Sequence, residues 1–213
     1  MSSWDFTGEL AGPQYQNPLN RAQGERGNCD WDHRQNFVTI LVVQSPGLGN
    51  GFVRQLSKDW MLSPIFTLAT GAPFTITDGK DVSLTGQNND RPNVVAPGQV
   101  FASPQAALPY WFNPAAFRYA GSDAACSTLS GQFGNLGRNA MYSPGSIGRD
   151  MSLSPQFHPR EHWRLDVRSD FFNILNHANW RTPGTTVSTS GTFGAVTTFG
   201  DPRIVQMAVK LYF

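Results

Sequence analysis

Arg203-Ile204-Val205-Gln206-Met207-Ala208-Val209-Lys210-Leu211-Tyr212-Phe213 alternates without a break to the last residue of the sequence. Val205, Met207, Val209, Leu211 and Phe213 share one face, and Ile204, Gln206, Ala208, Lys210 and Tyr212 share the other. Period-two alternation of this length marks a strand with one apolar and one mostly polar face. The sequence ends on the aromatic itself, with a carboxylate directly after it. A soluble fold seldom leaves its last strand with an exposed apolar row. A strand of an outer-membrane β-barrel turns that row to lipid and sets the terminal aromatic at the membrane–water interface.

Four further segments carry the same signal. From residue 162 to 173, Trp163, Leu165, Val167, Ser169 and Phe171 alternate with Arg164, Asp166, Arg168 and Asp170. The second row is a ladder of alternating charge that must face water or paired charges. Met151, Leu153, Pro155 and Phe157 oppose Ser152, Ser154 and Gln156; Trp60, Leu62, Pro64, Phe66 and Leu68 oppose Met61, Ser63, Ile65 and Thr67. Residues 37–44 are apolar enough to leave their faces ambiguous. Strands are therefore expected near 36–44, 59–69, 149–157, 162–173 and 203–213. Pro64 and Pro155 have no N–H for a ladder, so a bulge or an edge is expected at each.

The connections alternate in length. Residues 1–35, 70–148 and 174–202 are long, 45–59 is moderate, and His158-Pro159-Arg160-Glu161 reads as a tight turn. A structureless loop of some eighty residues is foreign to a compact soluble domain. Outer-membrane barrels combine long extracellular loops with short periplasmic turns. With the C-terminus in the periplasm, every long connection lands outside, and Trp60, Phe157, Trp163 and Phe213 fall at periplasmic strand ends as an interfacial girdle. The fold class is thus all-β, with antiparallel up-and-down strands of a transmembrane β-barrel, about five of them, and long extracellular loops. The alternative is a soluble or secreted β-sandwich binding module, for carbohydrate for example, whose two inner faces are these same apolar rows.

Composition bounds the function. Among 213 residues, 15% are charged and 12% aromatic, with 21 Gly and 15 Pro, a profile of many strands joined by turn-rich segments. The net charge of +1 offers no electrostatic case for a nucleic-acid partner. No run of eighteen apolar residues predicts a transmembrane helix, and barrels do not need one. Met1-Ser2-Ser3-Trp4-Asp5 carries no basic segment followed by an apolar one, so no secretory signal is read there. An exported barrel reading then makes this chain the C-terminal piece of something longer. Cys29 and Cys126 lack metal-ligand spacing and read either as two free thiols or as one disulfide between extracellular loops.

Chemistry-bearing motifs are few. His158-Pro159-Arg160-Glu161-His162 has the H-x-x-E-H form of an inverted zinc-peptidase motif. That chemistry needs both histidines on one helix face; here a proline follows the first and a strand begins at the second. His33 and His177 sit among loop residues. Gly47-Leu48-Gly49-Asn50-Gly51 lacks the lysine and helix of a phosphate loop and reads as a turn. No catalytic, cofactor-binding or metal-ligating residue is expected, no cofactor either, and the chain is not read as an enzyme. The best functional surface is the ladder of Arg164, Asp166, Arg168 and Asp170 with Gln206 and Lys210, lining a lumen. The stretch with Trp111, Phe112, Phe117 and Tyr119 reads either as ligand-contacting or as packed on itself.

Several stretches also carry a family likeness: Asn28-Cys29-Asp30-Trp31-Asp32-His33-Arg34, Leu68-Ala69-Thr70-Gly71-Ala72-Pro73-Phe74-Thr75, Asp90-Arg91-Pro92-Asn93 and Trp111-Phe112-Asn113-Pro114-Ala115-Ala116-Phe117. Phe133-Gly134-Asn135-Leu136-Gly137-Arg138-Asn139, Phe171-Phe172-Asn173-Ile174-Leu175-Asn176-His177 and Gly200-Asp201-Pro202-Arg203-Ile204-Val205-Gln206 follow in order. From about residue 20 onward the chain resembles the C-terminal barrel region of TonB-dependent outer-membrane receptors, in the Oar-like branch with a carboxypeptidase-regulatory-like domain. The resemblance implies a barrel of about twenty-two strands, plugged by a separate domain and driven by an inner-membrane energy-coupling complex. This chain would supply five of those strands in the cell outer membrane. Its partners would be outer-membrane lipid, the remaining strands and plug, and the barrel-assembly machinery. The coupling complex would be reached only through domains outside this chain, and transport by the chain alone is not expected. Gln206, Ala208, Leu211 and Phe213 resemble the C-terminal signal read by the assembly machinery, with Ala208 where that pattern usually has glycine.

Overall fold

Strands form where the sequence alternates, and a second body forms from the connections. The computed structural model describes residues 16–17, 19–20, 26–47, 49–86, 88–97, 110–120, 131–160 and 162–213. In chain order the elements are β1 (Asn36–Ile40), β2 (Val43–Pro46), helix α1 (Phe52–Ser57), β3 (Lys58–Ala69), β4 (Pro73–Phe74), β5 (Asn93–Val94), β6 (Phe117–Arg118), β7 (Met141–Tyr142), β8 (Ser146–Arg160), β9 (Trp163–Phe172) and β10 (Ile204–Tyr212). The chain divides into two compact units. One comprises the described residues of Met1–Arg34, Gly71–Gly145 and Trp180–Phe199; the other comprises Gln35–Thr70, Ser146–Asn179 and Gly200–Phe213.

The second unit is one antiparallel sheet in the order β1/β2, β3, β8, β9, β10. Each long strand lies beside the next one in sequence, the up-and-down meander that the alternating connections predict. All five expected segments are strands. β8 is longer than its predicted 149–157 at both ends: Ser146, Ile147 and Gly148 continue the ladder opposite Ala69, Leu68 and Thr67, and His158, Pro159 and Arg160, expected in a tight turn, still belong to the strand, with Arg160 opposite Trp163 after a register shift.

The two prolines act on ladders rather than on their own strands. Leu41 N–H donates to the Pro64 carbonyl at 3.1 Å. In an antiparallel ladder a residue's N–H and C=O face the same neighbour, so the donor Pro64 lacks is missing on that side. The pairing breaks there, between β1 and β2, while β3 runs through Pro64. Pro155 does the same one strand over. The β8–β9 pairs pass from Leu153↔Ser169 to Gln156↔Asp166, skipping Ser154 and Pro155. One expectation fails nearby: the glycine run at 47–51 is followed by α1, with Gly51 at its N-cap, and not by a bare turn. At six residues α1 is little more than a turn and a half.

The long connections are not structureless. In the first unit, β4 pairs with β7 and β5 with β6. A 3-10 turn at Pro114–Ala116 is capped by Asn113, whose side chain accepts from the Ala115 N–H at 3.0 Å. Around these pieces lies a core of Phe74, Ile76, Phe112, Ala116, Phe117, Leu136, Met141 and Phe193. Phe112 is its hub, with ring centroids 5.4 Å from Phe117 and 5.2 Å from Phe193, both edge-on. Tyr119 is buried too, and Trp111 donates from Nε1 to the Tyr142 carbonyl at 2.7 Å. Of the two readings of this aromatic stretch, packing on itself is the one found. Gly134 is required by contact: a Cβ there would sit 1.8 Å from the Arg91 carbonyl oxygen.

The sheet has no comparable interior. Every buried apolar residue of the described core belongs to the first unit. Met207 and Val209 of β10 remain 75% and 65% exposed. A β-sandwich would require a second sheet over that row, and among the described residues none covers it. The sandwich alternative is therefore set aside.

One buried group in the first unit is costly. Asp78 is fully buried, and neither carboxylate oxygen has a hydrogen-bond partner among the described residues. Burial, and then the nearby charge of Asp90, push its pKa from 3.8 up to about 8. The native state keeps the proton where the unfolded chain has lost it. The penalty is absent below about pH 3.8, grows as pH rises through the window, and is complete above about pH 8.

Two outcomes follow from this packing. Phe112→Ala should destabilise the first unit by about 3–5 kcal/mol, read as faster proteolytic cleavage between residues 71 and 145. Asp78→Asn should raise the thermal unfolding midpoint in detergent at pH 8 and leave it nearly unchanged at pH 4. Equal gains at both pH values would contradict a buried neutral acid.

Candidate functional site

The register assigns each side of the sheet its chemistry. Cross-strand partners share a face, so Leu62↔Leu153, Pro64↔Met151, Met151↔Phe171 and Val205↔Phe171 build one continuous apolar side. Ser63↔Ser152, Ser152↔Asp170, Gln206↔Asp170 and Lys210↔Asp166 build the other. A one-residue slip would exchange the two sides completely. At the end of the sheet where β10 finishes, Trp60 and Phe157 meet edge to face at 6.3 Å on the apolar side. Trp163 and Phe213 are 44% and 92% exposed. Aromatics collected at one end of an exposed apolar face are what an interfacial girdle requires.

The charged ladder is assembled as the alternation predicts. Arg164, Asp166, Arg168 and Asp170 lie on the polar side of β9 and meet Tyr212, Lys210, Ala208 and Gln206 of β10. Charges satisfy each other mainly along the strand. Arg168 Nε donates to Asp170 Oδ1 at 3.0 Å and stands 2.9 Å from Oδ2. Arg164 Nε lies 3.1 Å from Asp166 Oδ1, out of line for a hydrogen bond, and its guanidinium rests 4.2 Å above the Tyr212 ring. Lys210 is directly opposite Asp166 but forms no ion pair among the described residues. A half-exposed row of paired charges suits a wetted wall. A cavity of about 300 Å³ opens on this side, with Ser63, Asp150, Ser152, Arg168 and Asp170 among its lining.

The proposed assembly-signal residues divide between the sides. Gln206 and Ala208 are on the polar one, opposite Asp170 and Arg168; Leu211, opposite Leu165, and Phe213 continue the apolar one. All four are exposed. The outer edges of β1 and β10 have no partner strand among the described residues.

In the first unit, stretches far apart in sequence converge on a second cavity of about 300 Å³, with Asp30, Thr75, Asn89, Arg91, Arg138 and Asn139 in its lining. Asn139 is the knot. Its Nδ2 donates to the Asn28 carbonyl at 2.7 Å and to Asp30 Oδ1, while Thr75 Oγ1 donates to its Oδ1 at 2.7 Å. Arg91, nearly fully buried, donates from Nε to the Leu136 carbonyl at 2.9 Å. Burial pushes the Arg138 pKa down. Nearby, Arg34 Nη2 and Asn28 Nδ2 both donate to the Tyr142 hydroxyl, at 2.6 and 2.8 Å. The quoted Asn28–Arg34, Asp90–Asn93 and Phe133–Asn139 stretches are thus largely a mutual scaffold. Sequence reading singled out the stretches, but nothing in spacing told that they meet.

The acidic residues of segment 78–90 also serve structure. Asp81 accepts from the Thr85 and Gly86 amides at 2.9 and 2.7 Å, and Asp90 accepts from the Ser83 N–H and Oγ at 2.6 and 2.9 Å. No cluster suited to a metal ion occurs among the described residues. His158 belongs to β8 and His162 to the turn after it, with no helix to put them on one face. Cys29 is half-buried and has no disulfide partner among the described residues, and Cys126 lies outside them.

Comparison with known proteins agrees with this architecture. The family model described as outer membrane beta barrel domain matches residues 1–206. No curated protein and no solved structure matches the chain. With an exposed apolar side, a wetted side, an antiparallel meander and a family match across nearly its whole length, the chain belongs to the outer membrane beta barrel domain family and is a protein of the outer membrane.

Proposed function

We propose that this chain forms part of the wall and the extracellular loops of an outer-membrane receptor for TonB-dependent uptake of a bulky solute, within the Oar-like branch. The observation that carries this reading is the length asymmetry of the connections. Where β3 ends, β8 begins, β9 ends and β10 begins, the chain departs into 71–145 and 180–199, and the described residues of those segments belong to a unit with its own aromatic core. At the opposite end the strands are joined by α1 and by a turn near residue 162. A bare pore needs no such investment outside. A receptor does, because binding residues are held on loops positioned by a rigid scaffold.

The role is passive and non-enzymatic. Two open edges ask for strands beyond these, since the smallest closed membrane barrels have eight. Those strands, a plug, outer-membrane lipid and the assembly machinery are the proposed partners, with energy coupling reached through the plug. The charged row of β9 would face the plug and a hydrated lumen.

Uptake should stop when the proton-motive force is collapsed with an uncoupler, while solute binding at the cell surface persists. Energy-independent uptake would overturn the TonB assignment and leave the barrel intact. Phe213→Ala should lower the amount of protein in the outer membrane several-fold on quantitative blotting, with surviving molecules folded normally. Undiminished levels would remove Phe213 from the assembly signal.

A further inference from the structure

The lipid-facing side of the sheet contains a charge that solute uptake does not use. Within its paired rows, from Trp60 and Phe157 upward, Arg149 is the one charged side chain among the described residues. It stands opposite Phe66, in the row that also holds Ile147, Met151 and Leu153 of β8. Arg203 extends the same side of β10: Ile204 pairs with Phe172 on the polar side, so the residue before it continues the row of Val205 and Met207. Both β8 and β10 neighbour β9, so the two arginines are two strand spacings apart, about 10 Å.

Neither guanidinium is neutralised by a described residue. Among the described residues, neither has an ion pair or a side-chain hydrogen bond. Asp150, beside Arg149 in sequence, is on the polar side and accepts from the Asn173 amide at 2.8 Å. Asn173, at the end of β9 between them, has its own side chain committed to the connection, donating to the His177 and Asp201 carbonyls at 2.9 and 3.1 Å.

Depth makes the pair tolerable and directs it. Arg149 is eight residues from Phe157, about 26 Å along the strand, or about 20 Å along the membrane normal at a tilt of about 40°. Arg203 is ten residues from Phe213, about 25 Å by the same measure. The apolar band of such barrels is about 25 Å tall, so both arginines sit at its outer boundary and not at mid-depth. There a long cationic side chain keeps its stem on the apolar wall and its head among polar groups.

We infer that Arg149 and Arg203 form an exterior site for the phosphate groups of an anionic glycolipid in the outer leaflet. A guanidinium fork matches a phosphate's oxygens bidentately and is weakly hydrated, which suits a half-wet boundary. The acyl chains would lie against Phe66, beside Arg149, and against Met151, Phe171 and Val205 immediately below. The site requires the lipid-facing wall and is independent of the solute uptake proposed above.

The test uses the protein extracted from the outer membrane in mild detergent, with bound lipid counted by native mass spectrometry. The probes are bis-phosphorylated lipid A, its dephosphorylated form and inorganic phosphate. The unaltered protein should retain lipid A; R149Q/R203Q should retain about tenfold less, and R149K/R203K an intermediate amount, since the charge stays and the fork is lost. Heat-dependent electrophoretic mobility verifies that each variant is folded. If the double variant fails to assemble, R203Q alone, which lies outside the paired strand, should still show a measurable loss. Equal retention by the unaltered and glutamine proteins overturns the site. So does equal retention of dephosphorylated lipid A, which would mean that acyl chains alone bind, or displacement of lipid A by millimolar inorganic phosphate.

Discussion

Everything in the sheet depends on an apolar row over which no second sheet lies among the described residues. Leu62, Met151, Leu153, Phe171, Val205, Met207 and Val209 are contiguous through the register, yet β10 is exposed along its full length. In water such a row would drive association. In a bilayer it is solvated by acyl chains, and the backbone's need for partners is met by ladders between strands. That one constraint explains the rest of the wall: period two in the long strands, paired charges only on the opposite side, Trp60, Phe157, Trp163 and Phe213 at the end where β10 finishes, and edges that ask for further strands.

The prolines show how far the ladder can be stretched. Pro64 and Pro155 each remove one donor, and each loss falls on one neighbour only, because the other faces of β3 and β8 stay paired across Trp60↔Pro155 and Pro64↔Met151. A missing N–H in lipid is expensive, but a proline removes the donor instead of leaving it unsatisfied; what is left short is the facing acceptor.

The connections follow opposite physics. Their apolar residues converge inward, on Phe112 and its neighbours, as in a water-soluble domain, and their polar side chains bridge distant segments through Asn139, Arg91 and Tyr142. This unit even tolerates Asp78, a fully buried acid held neutral at moderate pH by burial and by Asp90. One chain thus contains a wall turned out to lipid and a loop body turned in on itself.

Outside residues 36–46, where an apolar run hid the faces and the break between β1 and β2, strand positions and faces were legible in residue order, because period two is a local property that a lipid-facing wall leaves unmasked: Arg164 to Asp170 and Gln206 to Lys210 lie where alternation puts them. The family likeness was legible in stretches such as Asp90–Asn93. What residue order did not determine was that the described residues of 71–145 and 180–199 fold into a body with a core, that Asn28 and Asp30 meet Asn139, or that Arg149 lies on the same side of the sheet as the extension to Arg203. Those depend on contacts across a hundred residues and on register between strands. Neither leaves a periodic mark in the chain, so only the tertiary structure decides them.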